Sequence, residues 1–192
     1  MKDYFEPAYE NGENEQVMTY NEYQNLAVRT CKVYDDNNMN LLHMAVGLHS
    51  EFNELMTALQ NDDVVNLGEE IADHMWYLAV YCHFVKLPFN HIIMINPDAV
   101  PDSLEMLTSK FLDLVKKRAI YGKWDSILLH QEGELLTNMV QKLYDFTDVF
   151  GLDMTKLLEN NIEKLKVRFP EKYTDLSANN RNLDAEYEQL KK

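Results

Sequence analysis

The chain has 192 residues, of which 46% are hydrophobic, and its formal net charge at pH 7 is −14. This length and apolar content suffice for one sizeable core or two small packed units, and they exclude an intrinsically disordered acidic chain. The six glycines and five prolines favour long helices over a turn-rich β fold. The negative charge argues against a partner that is nucleic acid or an anionic membrane surface, because the long-range field repels both.

Targeting and redox signals are weak in this sequence. No basic leader precedes an apolar run, and no apolar run approaches the roughly 18–20 residues of a membrane span, so we expect no membrane partner. Cys31 and Cys82 lie in different helical segments without metal-ligand spacing. We expect reduced core thiols in a cytoplasmic protein.

The N-terminal segment divides into an arm and a first helix. Residues 1–17 are polar and have no periodicity, which predicts a flexible arm. Thr19 followed by Glu22 is a capping-box pattern, so a helix is predicted to begin there and to extend to about Tyr34. Residues 35–39 (DDNNM) predict a turn.

Two long helices are predicted next. Apolar residues recur every three or four positions over residues 40–60, which indicates one apolar face of a second helix. Asn66 and Glu69 form another capping box, so a third helix is predicted from there to about Leu87. The following residues 88–102 contain three prolines and cannot form a continuous helix, so they mark an internal boundary.

The second half of the chain is also helical in pattern. Three helices are predicted, over residues 103–120, 126–150 and 153–169. Asp102 with Glu105 caps the first of them, Gly151 ends the second, and Asp153 caps the third. The polar tail, residues 175–192, is predicted to be partly helical near its end. The predicted fold class is all-α, an antiparallel bundle of about five to six helices.

The prolines divide the sequence into two helical halves, residues 18–87 and 103–174. Sliding residues 69–87 forward by 65 positions aligns their apolar pattern with residues 134–152, but the acids are lost, since Glu70 falls on a leucine. Two antiparallel helices of any origin share this much periodicity. The sequence leaves open whether the second half is a degenerate duplicate of the first.

Four carboxylates interrupt the two helices of the first half. Glu51 and Glu54 are three residues apart on one helix, and Glu70 and Asp73 are three apart on the next. Residues at this spacing share a helix face, so antiparallel packing can bring all four together. Like charges so close are costly without a cation, and Mg²⁺ suits carboxylates that share it with phosphates. The alternative is that both pairs lie on solvated helix faces.

Four blocks of sequence carry a resemblance to a known family. They are the opening "MTYNEYQNLAVRT", then "GLHSEFNEL", then "NLGEEIADHMWYLA", and finally "GLDMTKLLENNIEKLKVRFPEKY". Their order over residues 20–174 resembles the MazG-like, all-α nucleoside triphosphate pyrophosphohydrolase superfamily, which includes the dimeric dUTPases. The ExxE and ExxD pairs of that superfamily correspond here to Glu51–Glu54 and Glu70–Asp73. The first and last blocks are similar to phage and bacterial members.

The resemblance implies a metal-dependent hydrolase. All four acids would bind Mg²⁺, with Mn²⁺ able to substitute, and a nucleoside triphosphate would be cleaved between its α- and β-phosphates. Glu54 is assigned to the attacking water. Analogy to phage-type members suggests control of dNTP or dUTP pools in a host cytoplasm, and related units form homodimers. The substrate contacts that we predict are Asn161, Lys164 and Arg168 on one helix face, the basic residues Lys116 and Lys123, and Gln24 on the first helix.

This sequence departs from the family pattern in three places. The segment "NDDVVN" joins the two acidic helices directly, and the "KK…YGK" segment follows Asp73, whereas in family members it precedes the ExxD pair. Ser50 stands where many members carry another Glu, and Asn53 stands where Gly is frequent. These departures leave open the number of bound metals and the identity of the substrate.

Two other functions compete with this one. A ferritin-like di-metal bundle would need Glu-x-x-His on two helices, a motif that the chain lacks. A catalytically inactive helical binding module would use the acids only as surface, and Mg²⁺ would leave its stability unchanged. His43, His49 and His74 are expected to be structural, not metal ligands. Trp76 and Tyr77 are expected to pack in the core or to shape a nucleobase pocket.

Overall fold

A computed structural model describes residues 17–93 and 100–192, and all regular structure in these two stretches is α-helical. Six described helices have ten or more residues and three are short: α1 (Tyr20–Arg29), α2 (Asn37–Gln60), α3 (Val64–Phe84), α4 (Phe89–Ile93), α5 (Leu104–Tyr121), α6 (Ser126–Phe150), α7 (Met154–Arg168), α8 (Asp175–Asn179) and α9 (Leu183–Leu190). The predicted all-α class is confirmed. Of the helices described, none combines the length and apolar content that a bilayer span needs. The predicted N-terminal arm lies outside the described residues except for Val17.

Helices α2 and α3 form a tight antiparallel hairpin. Their connection is only three residues long, with Asn61 capping the end of α2 and Asp63 capping the start of α3. Asp62 between them takes a left-handed conformation with φ of 52°, which aspartate tolerates better than most residues. Gly47 of α2 faces Tyr77 of α3, and a Cβ atom built on Gly47 would lie 2.0 Å from the tyrosine ring. A glycine therefore sets how closely the two helices approach.

Helix α3 lies at the centre of the bundle, in contact with α1, α2, α4, α6, α7 and α9. One hydrophobic core cluster joins helices from both predicted halves and includes Leu78 of α3, Phe111 of α5, Leu143 of α6 and Leu158 of α7. Both halves therefore contribute to a common core. That the second half arose by duplication stays a prediction.

The first helix is shorter than expected, because it ends at Arg29 and does not continue to Tyr34. The carbonyl oxygen of Ala27 accepts the indole N–H of Trp76 at 3.2 Å and the hydroxyl of Thr30 at 2.7 Å. These bonds satisfy the carbonyl oxygen of Ala27 without a further turn of helix. The chain then turns before α2.

Three helix starts are displaced from their predicted positions. Asp36, not residue 40, opens α2, and its carboxylate accepts the backbone N–H of the second helical residue. Asp63 opens α3 by accepting the N–H of Asn66 at 3.0 Å, so Asn66 lies inside the helix. Ser103 caps α5, one residue after Asp102. In each case the side-chain oxygen of the residue at the observed start accepts a backbone N–H of the first turn.

The C-terminal part follows the prediction more closely. Helix α6 spans the predicted residues, and Gly151 ends it with φ of 64°, a conformation that glycine adopts without strain. Asp153 caps α7, which ends one residue before Phe169. The tail is helical in part, as predicted, and α9 folds back to pack on α7.

Candidate metal centre

Antiparallel packing of α2 and α3 brings acidic residues of the two helices together. Counting outward from the facing pair Gly47 and Tyr77, Glu51 is level with Asp73. One carboxylate oxygen from each of Glu51, Glu70 and Asp73 lies within 4.8 Å of the other two. The structure therefore places three of the four predicted acids in one group, which we call the acidic triad.

Glu54, the fourth predicted acid, follows Glu51 by one helical turn and is exposed. It is not a member of the acidic triad, but its negative charge contributes to the raised pKa values of Glu51 and Glu70. Glu54 thus lies at the rim of the site, close enough to influence the triad electrostatically and open to solvent.

Burial and mutual repulsion disfavour the charged forms of the two glutamates of the acidic triad. Burial, and then the charge of Asp73, raises the pKa of Glu70 to about 9. The same two causes raise the pKa of Glu51 to about 7. The Oε2 atom of Glu70 is buried and has no hydrogen-bond partner among the described residues. A buried carboxylate oxygen without a partner is costly, and a divalent cation with oxygen ligands would satisfy it.

Helix α7 supplies one positive charge to this site. The Nζ atom of Lys164 lies 2.7 Å from both carboxylate oxygens of Asp73 and 3.1 Å from Glu69, and the lysine side chain is only 1% exposed. Burial acts to lower the pKa of Lys164, but the charges of Asp73 and Glu69 outweigh it, and the pKa is raised. Lys164 is therefore a buried cation that holds Asp73 in place.

An amide and a phenol complete the support of Asp73. The side-chain amide of Asn161 donates to Asp73 at 2.5 Å, and the hydroxyl of Tyr23 donates to the Asn161 carbonyl oxygen at 3.2 Å. Asn161 and Lys164 were predicted to contact phosphate, and the structure places both beside the acidic triad. A phosphate contact by either residue would have to share or replace its bond to Asp73.

Two other predicted substrate contacts, Arg168 and Gln24, are bonded to other groups of the protein. Arg168 forms an ion pair with Glu186 of α9, at 2.5 Å. The amide of Gln24 donates to the backbone oxygens of Ala79 and Leu87, at 3.1 and 3.0 Å, so it ties α1 to the C-terminal half of α3. A substrate contact by Gln24 would cost these buried bonds.

The basic residues of the α5 region have neighbours of their own. Lys116 pairs with Asp113 of the same helix at 2.5 Å, and the Nζ atom of Lys123 lies 6.0 Å from the centre of the Tyr121 ring. Both lysines follow Phe111 of α5, which packs against Tyr81, about 12 Å along the axis of α3 from Asp73. That these two lysines contact the substrate stays a prediction.

The sequence reasoning missed Tyr23 and Glu69 as supports of the site. Glu69 precedes Asp73 by four residues, so the two share a helix face, and this face meets Lys164. That spacing is the available signal, although the sequence pattern places Glu69 only in a capping box with Asn66. Tyr23 gave no signal, because its role depends on how α1 and α7 pack.

His74 and Trp76 are held by hydrogen bonds within the helical bundle. His74 is fully buried, its Nδ1 atom lies 2.7 Å from the backbone oxygen of Glu70, and burial lowers its pKa to about 4. The indole N–H of Trp76 donates to α1, which accounts for its position between α1 and α3. His74 is not part of the acidic triad.

The arrangement has the composition of a site for one or more hard divalent cations: three converging carboxylates, a fourth at the rim and a buried lysine behind them.

Comparison with protein-family models, with curated proteins and with solved structures gives no match for this chain. Membership of the MazG-like superfamily therefore stays a prediction that rests on the sequence blocks.

Proposed function

We propose that the chain is a Mg²⁺-dependent hydrolase that converts a nucleoside triphosphate to the monophosphate and pyrophosphate. The observation that carries this proposal is the convergence of Glu51, Glu70 and Asp73, with a buried oxygen of Glu70 left without a partner among the described residues. These three acids belong to the ExxE and ExxD pairs on which the family resemblance rests. The preferred substrate class is a deoxynucleotide such as dUTP, and a homodimer is the expected assembly.

The residues present fit a magnesium ion. Glu51, Glu70 and Asp73 would hold it, since hard cations prefer carboxylate oxygens. When bound, Mg²⁺ neutralises phosphate charge and polarises the α-phosphorus toward attack. Lys164 and Asn161 keep the Asp73 carboxylate oriented through three hydrogen bonds at 2.5–2.7 Å. Mn²⁺ would occupy the same ligands.

Glu54 is the acid best suited to receive a proton. It is exposed beside the triad, whereas Glu51, Glu70 and Asp73 would hold the metal ion, and Asp73 is also bonded to Lys164. In the proposed reaction a water oxygen attacks the α-phosphorus while its proton passes to Glu54. The bond from the α-phosphorus to the bridging oxygen breaks, and pyrophosphate leaves with that oxygen. An in-line attack of this kind needs positioning and charge stabilisation more than covalent chemistry.

A panel of NTPs and dNTPs with Mg²⁺ tests the proposal, with pyrophosphate and orthophosphate measured separately. We expect pyrophosphate with at least one nucleotide, and a loss of about 10²-fold or more in kcat for Glu54→Gln and Glu70→Gln. Glu163→Gln is the matched control, because Glu163 is a solvent-exposed helical glutamate that pairs with the exposed Lys166. Stepwise release of orthophosphate would contradict the reaction type. Full activity in both acid variants would contradict the site, and inactivity on every nucleotide would favour a helical binding module.

A further inference from the structure

The last helix, α9, packs along the face of α7 that carries Lys164. The side-chain amide of Asn160 donates to the backbone oxygen of Leu190 at 3.4 Å, and Arg168 forms its ion pair with Glu186. Asn160, Lys164 and Arg168 follow one another at intervals of four residues, so Lys164 lies between the two points at which α9 is bonded. The Lys164 side chain is only 1% exposed. Helix α9 is therefore part of the wall that keeps water from this cation.

Helix α9 also reaches Glu69, which is one of the two partners of Lys164. A cavity of about 300 Å³ is lined by Glu69 of α3 together with apolar and acidic residues of α9. Glu69 accepts from the Nζ atom of Lys164 at 3.1 Å, and α9 is in contact with both α3 and α7. The ion pair beside the acidic triad thus lies where three helices meet. Displacement of α9 would admit water to it.

A buried carboxylate anchors α9. The side chain of Glu186 is 3% exposed and accepts from Arg168 at 2.5 Å and from Arg181 at 2.7 Å. Helix α9 has only eight residues, and a helix so short depends on its tertiary contacts. Removing one partner of a buried ion pair is strongly unfavourable. Docking of α9 therefore depends on this ion group.

Lys164 and a bound metal ion would share one ligand. Both carboxylate oxygens of Asp73 lie 2.7 Å from the Nζ atom of Lys164, and Asp73 is also a member of the acidic triad. A divalent cation in the triad would place a second positive charge on the same carboxylate, and two like charges this close repel each other. The repulsion falls when Lys164 can move toward water, and α9 stands in the way of that movement.

We infer that α9 is a strap over Lys164, with Glu186 as a positioning residue, and that docking of α9 and metal binding at the acidic triad oppose each other. The inference rests on the metal centre of the proposed function. Thermodynamic linkage requires that a bound metal weaken the docking of α9 by the same factor by which docked α9 weakens metal binding. The competing explanation is that α9 only completes the fold.

Two variants that change the charge in opposite directions separate this coupling from a simple charge effect. Glu186→Gln removes a negative charge and Arg181→Gln removes a positive one, and both weaken the anchor of α9. We expect both to bind Mg²⁺ about fivefold more tightly than the unmodified chain in isothermal titration calorimetry. A charge effect alone would weaken Mg²⁺ binding in Glu186→Gln and strengthen it in Arg181→Gln. Glu188→Gln is the matched control, because Glu188 is an exposed acid of the same helix, and it should bind Mg²⁺ as the unmodified chain does.

Hydrogen–deuterium exchange gives a second readout on the unmodified chain. Saturating Mg²⁺ should speed the exchange of the α9 backbone amides, residues 183–190, by the same factor of about five. Unchanged or slower exchange in α9 would overturn the inference, and so would a folded Glu186→Gln or Arg181→Gln variant that binds Mg²⁺ no more tightly. If circular dichroism shows that a variant has lost more helix than α9 contains, exchange in the unmodified chain decides.

Neither measurement uses a nucleotide, so the two proposals can fail separately. Opposition between Mg²⁺ and α9 in a chain that hydrolyses no nucleotide would refute the proposed function and leave the strap standing. Release of pyrophosphate by a chain whose α9 exchanges at the same rate with and without Mg²⁺ would refute the strap and support the proposed function. A chain that binds no Mg²⁺ would contradict both.

Discussion

Replacing Lys164 by methionine removes the buried cation beside the acidic triad while keeping a side chain of similar length. Lys164 lies 2.7 Å from Asp73 and 3.1 Å from Glu69, and both carboxylates are at least three-quarters buried. Breaking a buried ion pair by removing one partner costs about 3–5 kcal/mol, because the other charge stays buried and uncompensated. We expect Lys164→Met to lose about that much free energy of unfolding in metal-free buffer, or about 6–20 °C in Tm.

Urea denaturation with and without Mg²⁺ measures this effect. Adding Asp73→Asn to Lys164→Met should restore part of the lost stability, since the uncompensated charge is then gone. Mg²⁺ should stabilise Lys164→Met by more than it stabilises the unmodified chain, because the cation replaces the missing charge. If Lys164→Met unfolds at the same urea concentration as the unmodified chain in metal-free buffer, the electrostatic account of the triad is wrong.

Three further predictions address packing, pH and the role of Gln24. Gly47→Ala should cost about 1–3 kcal/mol of stability and weaken Mg²⁺ binding, because its Cβ would lie 2.0 Å from the Tyr77 ring. The control is Gly133→Ala in helix α6, where an added Cβ would meet no neighbouring group within 4 Å. This control should not destabilise the protein. The pKa of Glu70 is raised from 4.5 to about 9 on folding, so metal-free stability should fall as pH rises through this range, and the Tm gain from Mg²⁺ should grow from pH 5 to pH 9. A Mg²⁺ effect that is constant with pH would contradict this. Gln24→Ala should lower Tm with KM unchanged, since its amide bonds to backbone; a higher KM with normal Tm would show a substrate contact instead.

The sequence predicted a helix limit correctly where residues next to that limit determine it. The end of α6 follows from Gly151, which takes the left-handed conformation that ends a helix. The end of α1 depends in part on Trp76, which is distant in sequence and donates to the carbonyl of Ala27 beside the local hydroxyl of Thr30. Helix limits set by tertiary hydrogen bonds leave no trace in local periodicity.

The candidate site, too, could be predicted only where neighbouring residues in the sequence determine it. Helical spacing indicated that all four acids could converge if the two helices pack antiparallel, and three of them, Glu51, Glu70 and Asp73, do so. The burial of Lys164 and its double pairing depend on how α7 docks on α3, which spacing within α7 does not reveal. The partner of Arg168 is 18 residues away on a tail whose sequence is merely polar.

The most direct test of the account is a crystal structure with Mn²⁺ and a non-hydrolysable α,β-imido deoxynucleoside triphosphate, with the metal located by anomalous diffraction. We predict an anomalous peak in bonding contact with carboxylate oxygens of Glu51, Glu70 and Asp73 and with the phosphate chain of the nucleotide. A nucleotide bound elsewhere, with no anomalous peak among these three carboxylates, would contradict the proposed metal centre.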